Sequence, residues 1–416
     1  MSLIHSFQSK RSSIGLLSVL FPILLTGCST VNSSESAPAT TPMPHGQSSY
    51  EQYLQDAQEW MGVNRRYVTD NHDEELQMHL PFEYRPQKPN GKGILMIHGF
   101  SDSPFNFQDF GRYFADRGYL VRGVLIPGHG TKPEDMLNVT FDDWDRMVEE
   151  QTKLMAQEVD ELYIAGFSAG GNLAVHEAYE NSAVDGMILF APALAIRTKL
   201  YKMVPVVSFF TDWLIEPEDR DGGLNRFRYR TVPIQALETF TDSMESAMRR
   251  LQGEPYTKPV MVFFAENDTI VDSQKLLPMM QEKFTSPYSR FVWYGDHLPE
   301  GAVASDKRLT VLTDFLPEYR IRSFSHLGIM FSPENPWYGS VLENHVGGTA
   351  TCTEKAKCKF CNKEYGDLDP TNHTGKPVWY GSWREDRDGH PYARLTFNPY
   401  FEQQNELIDN TLKSIP

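Results

Sequence analysis

Basic residues are in short supply. Asp and Glu number 55 against 39 Lys and Arg, for a net charge of −16. A chain charged in this way has no electrostatic reason to bind nucleic acid. Long apolar runs are scarce too. The apolar stretch at residues 14–25 is too short, and too closely followed by polar sequence, for a comfortable membrane span. Cysteine is confined to Cys28 and to a cluster of Cys352, Cys358 and Cys361. What remains is ordinary for a folded body: 40% hydrophobic and 23% charged residues over 416 positions. That length suits one large α/β domain with insertions, or two ordinary domains.

Lys10 and Arg11 precede the apolar stretch, which ends in Leu25-Thr26-Gly27-Cys28. The order of charge, apolar core and Leu-x-Gly-Cys resembles the signal peptide and lipobox of bacterial lipoproteins. That resemblance implies acylation of the Cys28 thiol and cleavage just before it; the competing reading is an uncleaved signal anchor. Several acyl chains on one cysteine give stable anchoring to a membrane, at about 0.8 kcal/mol per buried methylene. Residues 29–48 are dominated by Ser, Thr, Ala and Pro without an apolar period, and read as a flexible tether. With Ser rather than Asp at position 29, the pattern resembles outer-membrane sorting if the host is Gram-negative. The expected location is therefore a bacterial cell envelope, with the folded body exported.

From about Tyr50 to the C-terminus at residue 416 the pattern is globular. Short apolar runs at residues 93–97, 119–125, 162–165 and 186–191 alternate with helical spacing at 105–117, 140–159 and 172–179. Alternating strands and helices predict a mostly parallel sheet covered on both faces. The rhythm breaks at about 196–233, an aromatic-rich stretch with no clear strand, which reads as an inserted lid. It resumes with a strand at 260–265, a helix near 273–284 and a strand at 290–294. Residues 319–325 read as a further strand, and 402–414 as a closing helix.

Gly166-Phe167-Ser168-Ala169-Gly170 fits G-x-S-x-G between a predicted strand and a predicted helix. Such a turn holds Ser168 in strained backbone with its hydroxyl out of the sheet. The flanking glycines are needed because side chains there would meet neighbouring backbone. The helix N-terminus offers free N–H groups to a developing oxyanion. A second donor is expected after an earlier strand, at His98-Gly99-Phe100. The backbone N–H groups of Phe100 and Ala169 are thus the candidate oxyanion hole.

Residues 98–104 (HGFSDSP), 125–131 (LIPGHGT), Asp143-Trp144 and 166–171 (GFSAGG) together resemble the α/β-hydrolase superfamily. They are closest to its serine aminopeptidase or monoacylglycerol-lipase-like esterase branch. The likeness covers about residues 90–335 and the last twenty. It implies the α/β-hydrolase fold, a Ser168 nucleophile and a triad in the order Ser, acid, His. The acid position of the family falls on Asp268; Glu266 lies too close to the strand end, and Asp272 begins the next helix, where a carboxylate caps. On spacing alone the base is His297 or His326. The stretch from Ser325-His326 to Gly339 resembles a bacterial subgroup in which the Ser-His pair carries the base, which implies His326. His98 and His129 fall in turns that the family uses for shape.

The reaction so implied is hydrolysis of small-acyl or lipid-like carboxylic esters through an acyl-enzyme, with no cofactor for catalysis. The partners are then a small-molecule ester and, through Cys28, a membrane; the sequence carries no mark of oligomeric state. Two other readings are a peptidase of the serine aminopeptidase type and a catalytically silent surface protein that binds without turnover.

Residues 345–376 break the α/β pattern. Cys358-Lys359-Phe360-Cys361 resembles a zinc knuckle. With Cys352, and His345 or His373 as fourth ligand, it would form a structural zinc site. The competing reading is one disulfide and a spare thiol, which an exported chain permits.

Overall fold

Apolar runs without polar alternation become strands buried on both faces. In β2 (Lys92–Ile97) Leu95 and Ile97 enter one core layer, and Ile94 and Met96 the other. In β6 (Val260–Ala265), Val260, Val262 and Phe264 face one layer while Met261, Phe263 and Ala265 face the opposite one. Each fully buried side chain of this size contributes about 1.5–3 kcal/mol, so a strand of this kind is stable only inside a layered core. The computed structural model describes residues 42–198, 211–215, 226–340, 379–382 and 392–416. Cys28, most of the expected tether, much of the expected lid and the whole cysteine cluster with His345 and His373 lie outside the described residues.

Among the described residues the main sheet has eight strands: β1 (Phe82–Tyr84), β2, β3 (Leu120–Val124), β4 (Glu161–Phe167), β5 (Val184–Phe190), β6, β7 (Arg290–Tyr294) and β8 (Leu309–Leu312). Their spatial order is β1-β3-β2-β4-β5-β6-β7-β8. All pairings are parallel except β1 with β3. This is the α/β-hydrolase fold. The order around β2 reverses direction, and ligand sites of such sheets open at the carboxyl ends of the strands.

Among the described residues the helices are α1 (Tyr50–Asn64), α2 (Gln108–Ala115), α3 (Phe141–Ala156), α4 (Ala169–Glu180), α5 (Ile234–Gln252), α6 (Ser273–Lys283) and α7 (Phe401–Ser414), with a shorter one at His72–Gln77. α1 starts where Ser49 accepts the Gln52 N–H, and buries Tyr50, Tyr53, Ala57 and Met61 at helical spacing. The Tyr50 hydroxyl reaches the Gly123 carbonyl at 3.0 Å, and that of Tyr53 accepts the Leu125 N–H at 2.9 Å. Just before α1, the Gly46 N–H donates to Glu150 at 2.9 Å, so the end of the stretch read as tether touches the body. α3 opens with a capping box in which Thr140 and Asp143 satisfy each other's backbone N–H. Asp143, one of the motif residues, is therefore structural. Among the described residues no helix is long and apolar enough to cross a membrane.

Two expectations need correction. Residues 319–325 are not a strand. Pro317–Tyr319 forms a 3₁₀ turn and Arg320 turns left-handed at φ 56°, which ends any extended run. Only Ile321 pairs, through isolated bridges to Leu316 and Tyr380. The stretch at 196–233, which showed no clear strand, contains Trp213–Ile215 paired antiparallel with Val232–Pro233. That pair is too short to leave a period in the sequence.

Candidate active site

Ser168 stands between β4 and α4 at φ 54° and ψ −114°, a conformation that costs a non-glycine residue about 1–3 kcal/mol. Three backbone hydrogen bonds hold it there. Ser168 N–H donates to the Phe190 carbonyl at 3.0 Å, and its own carbonyl accepts from Gly171 and Ala193, each at 3.0 Å. The glycines permit the turn by close approach. A Cβ at Gly166 would run into the Gly170 carbonyl, and one at Gly170 into the carbonyls of Ile97 and His98. The Ser168 side chain makes no capping hydrogen bond to α4.

The register between β2 and β4 pairs Ile97 with Gly166, so the loop after Ile97 lies beside the Ser168 turn. Neither the Phe100 nor the Ala169 N–H donates a hydrogen bond within the described residues, as an oxyanion hole requires. The two neighbouring histidines shape this loop. His98 Nδ1 meets the Gly99 carbonyl at 2.8 Å and its Nε2 accepts the Ile126 N–H at 3.0 Å. His129 Nε2 accepts the Ser101 N–H at 2.9 Å, while Nδ1 faces the Pro127 carbonyl at 3.3 Å. Both rings accept a backbone N–H and are therefore neutral. Burial lowers His98 well below the usual imidazole value and His129 to about 4. Trp144 adds a 3.1 Å bond from its indole N–H to the Pro127 carbonyl.

The loops that carry the candidate acid and the candidate base follow β6 and β8. Asp268 is 1% exposed. Its Oδ1 accepts the N–H groups of Ile270 at 2.8 Å and Val271 at 2.9 Å. Its Oδ2 lies 2.6 Å from His326 Nδ1. The Phe167 ring packs against the imidazole with centroids 4.9 Å apart, so His326 neighbours the residue before Ser168. Ser168 and His326 make no hydrogen bond with each other; such contacts often tighten only with substrate. His297 is elsewhere: its side chain is 87% exposed and its Nδ1 faces Glu266 at 3.3 Å. Glu266 also accepts the His297 N–H at 2.9 Å. Asp272 occupies the N-cap position of α6, although its side chain makes no capping bond. Of the predicted residues, the fold thus pairs Asp268 with His326 and leaves His297 in solvent.

His326 sits in a loop without regular structure, held by residues that the sequence reading passed over. Ser325 Oγ donates to the Leu395 carbonyl at 2.5 Å and accepts the Gly328 N–H at 3.1 Å. Gln404 on α7 donates to the Ile329 carbonyl at 3.2 Å and accepts the Tyr294 hydroxyl at 2.6 Å. Asp109 on α2 accepts the Ser332 N–H at 3.1 Å and the Asn335 amide at 2.9 Å. These partners are 70 or more residues away in the chain, so no local motif marks them.

The insertion begins and ends at this site. Arg197 N–H donates to the Ile270 carbonyl at 2.9 Å, in the Asp268 loop. At its other end, Tyr229 N–H donates to the Ser101 carbonyl at 2.8 Å. The Tyr229 hydroxyl contacts the Thr131 N–H at 3.0 Å and the Gly128 carbonyl at 3.1 Å. Among the described residues no group of three or more His, Cys, Asp or Glu side chains is placed to hold a metal.

The family described as serine aminopeptidase, S33, matches residues 88–217. Among curated proteins, a thermostable monoacylglycerol lipase of Bacillus sp. (strain H-257) is 33% identical over 181 residues, 43% of this chain and 71% of that protein. A carboxylesterase of Bacillus subtilis (strain 168) is 21% identical over 219 residues, 51% of this chain and 85% of that protein. Among solved structures, the monoacylglycerol lipase of Paleococcus ferrophilus superposes with a TM-score of 0.41 at 13% identity, covering 51% of this chain and 87% of that one.

Proposed function

The chain belongs to the serine aminopeptidase S33 family of α/β hydrolases and is an ester hydrolase; from that premise we propose that it cleaves small-acyl or lipid-like carboxylic esters through Ser168, Asp268 and His326. One observation carries the assignment of residues: the 2.6 Å contact between His326 Nδ1 and Asp268 Oδ2, made beside the strained Ser168 turn. The preference for lipid-like esters draws support from the 33% identity to a monoacylglycerol lipase.

The chemistry follows from the geometry. His326 Nε2 takes the Ser168 proton as Oγ attacks the ester carbonyl. Asp268 fixes the tautomer through Nδ1–H and stabilises the imidazolium. The N–H groups of Phe100 and Ala169 bind the oxyanion, each worth about 3–4 kcal/mol in the transition state. The imidazolium then protonates the leaving alcohol, and an acyl group remains on Ser168. Water, deprotonated by the same histidine, releases the acid. No step calls for a metal or an organic cofactor.

The test is a fluorophosphonate probe together with a substrate panel. Ser168 is expected to be labelled in the folded protein. p-Nitrophenyl esters and monoacylglycerols are expected to turn over, with kcat/KM at least 100-fold above aminoacyl-arylamides. A preference for the arylamides would make the protein a peptidase. Absence of labelling in folded protein would leave a binding protein on a hydrolase scaffold.

The same reading places the enzyme at the cell envelope on an acylated Cys28, supported by the order of Lys10, Arg11, the apolar core and Leu25-Thr26-Gly27-Cys28. Cells grown with labelled palmitate should yield a labelled, membrane-associated protein. Cys28→Ser should remove both the label and the membrane association. An unlabelled wild-type protein in the soluble fraction would refute the anchor.

A further inference from the structure

The acid loop and the base loop are separate in sequence, yet catalysis by a Ser-His-Asp relay depends on their spacing to a fraction of an ångström. One buried carboxylate touches both. Asp314 follows β8 and is 4% exposed. Its Oδ2 accepts the side-chain amide of Asn267 at 3.1 Å and the backbone N–H of Phe324 at 3.2 Å. Asn267 immediately precedes Asp268, and Phe324 stands two residues before His326. Phe324 is itself fully buried and stacks on Tyr294 of β7, with centroids 4.9 Å apart. The Thr313 carbonyl beside Asp314 accepts the Tyr400 hydroxyl at 3.0 Å. The carboxylate therefore stands on a braced support.

Asp314 makes no ion pair within the described residues, so its contacts are with neutral N–H donors of the two loops. We propose that Asp314 is a positioning residue whose carboxylate ties the Asp268 loop to the His326 loop and so sets the distance between acid and base. The inference rests on the triad reading given above. It predicts a kinetic role for a side chain that touches neither the nucleophile nor the substrate.

A charged acceptor makes stronger hydrogen bonds than a neutral one, so the tie is tightest with Asp314 ionised. Burial raises its carboxyl to about 6, the Phe324 and Asn267 hydrogen bonds oppose that rise, and the charges of Glu266 and Asp296 add to it. Glu266 belongs to the acid loop and Asp296 follows β7. The Tyr400 phenol, ahead of α7, also faces Asp314. As pH falls through about 6 the carboxyl takes up a proton and the tie weakens.

Asp314→Ala is expected to lower kcat about 10- to 100-fold, the scale of a misplacement near 1 Å, with KM within about twofold. It should slow fluorophosphonate labelling of Ser168 in the same proportion. Asp314→Asn keeps an acceptor oxygen and should recover kcat to within about threefold at pH 8. It should also remove one ionisation from the acid limb of the kcat/KM profile. Asn267→Ala, which cuts only the acid-loop half, provides the same kcat-selective loss if Asp314→Ala fails to fold. Full kcat in a folded Asp314→Ala or Asn267→Ala, with Ser168 labelled at the wild-type rate, would overturn the positioning role and leave the triad standing. A wild-type protein whose Ser168 is not labelled would overturn both.

Discussion

Ser168→Ala removes ester turnover by about 10⁴- to 10⁶-fold while leaving the fold as stable as before. The activity term is large because the nucleophile, the base and the acid act as a unit, and loss of the nucleophile forfeits the covalent route entirely. Residual hydrolysis would come only from the oxyanion donors acting on bound ester and water. The stability term is small for a reason visible in the turn. The backbone of Ser168 makes the three hydrogen bonds that hold it, and the side chain caps nothing. Alanine keeps the Cβ, so the strain at φ 54° is unchanged. Thermal melting and p-nitrophenyl ester hydrolysis on the same preparation check both halves. A variant that retained more than about 1% of wild-type kcat would assign the nucleophile to another residue.

The second large effect separates two histidines. His326→Ala should cost about 10⁴-fold or more in kcat, whereas His297→Ala should change it less than twofold. His326 is buried against the Asp268 carboxylate at 2.6 Å, while the His297 imidazole extends into solvent and faces only Glu266. Removing His326 also strips the partner from a buried carboxylate oxygen, a loss of about 1–3 kcal/mol in stability. Melting curves must therefore accompany the kinetics. Asp268→Asn combined with His326→Ala supplies the control: once the base is gone, loss of the acid should lower kcat little further, because members of such a unit are not additive. A dead His297→Ala beside an active His326→Ala would transfer the base to the solvent-exposed loop.

The part of this architecture legible in the sequence is the part built from short-range steric rules. Residues 260–265 and 291–294 are apolar runs, and they lie in the strands Val260–Ala265 and Arg290–Tyr294. Gly166, Gly170 and Gly171 announce the Ser168 turn because a Cβ at each meets atoms already in place. The placement of His326 was not legible in this way. The stretch before His326 alternates apolar and polar residues like a strand, but Arg320 turns left-handed and its neighbours bond to Leu316 and Tyr380 instead of a sheet. The contacts that fix the loop around His326 come from Leu395, Gln404 and Asp109, each far from it in the chain. Asp314 likewise carries no sequence signal, since an aspartate after a short strand is ordinary until the two loops it joins are seen together.

The stay formed by Leu395 and Gln404 around the His326 loop bears on what a shortened chain would keep. Every group that hydrogen-bonds the Ser168 backbone lies before residue 194. The groups that fasten the His326 loop lie about 200 residues further along the chain. A chain cut before residue 395 would keep every group that hydrogen-bonds the Ser168 turn and lose those that fasten the His326 loop.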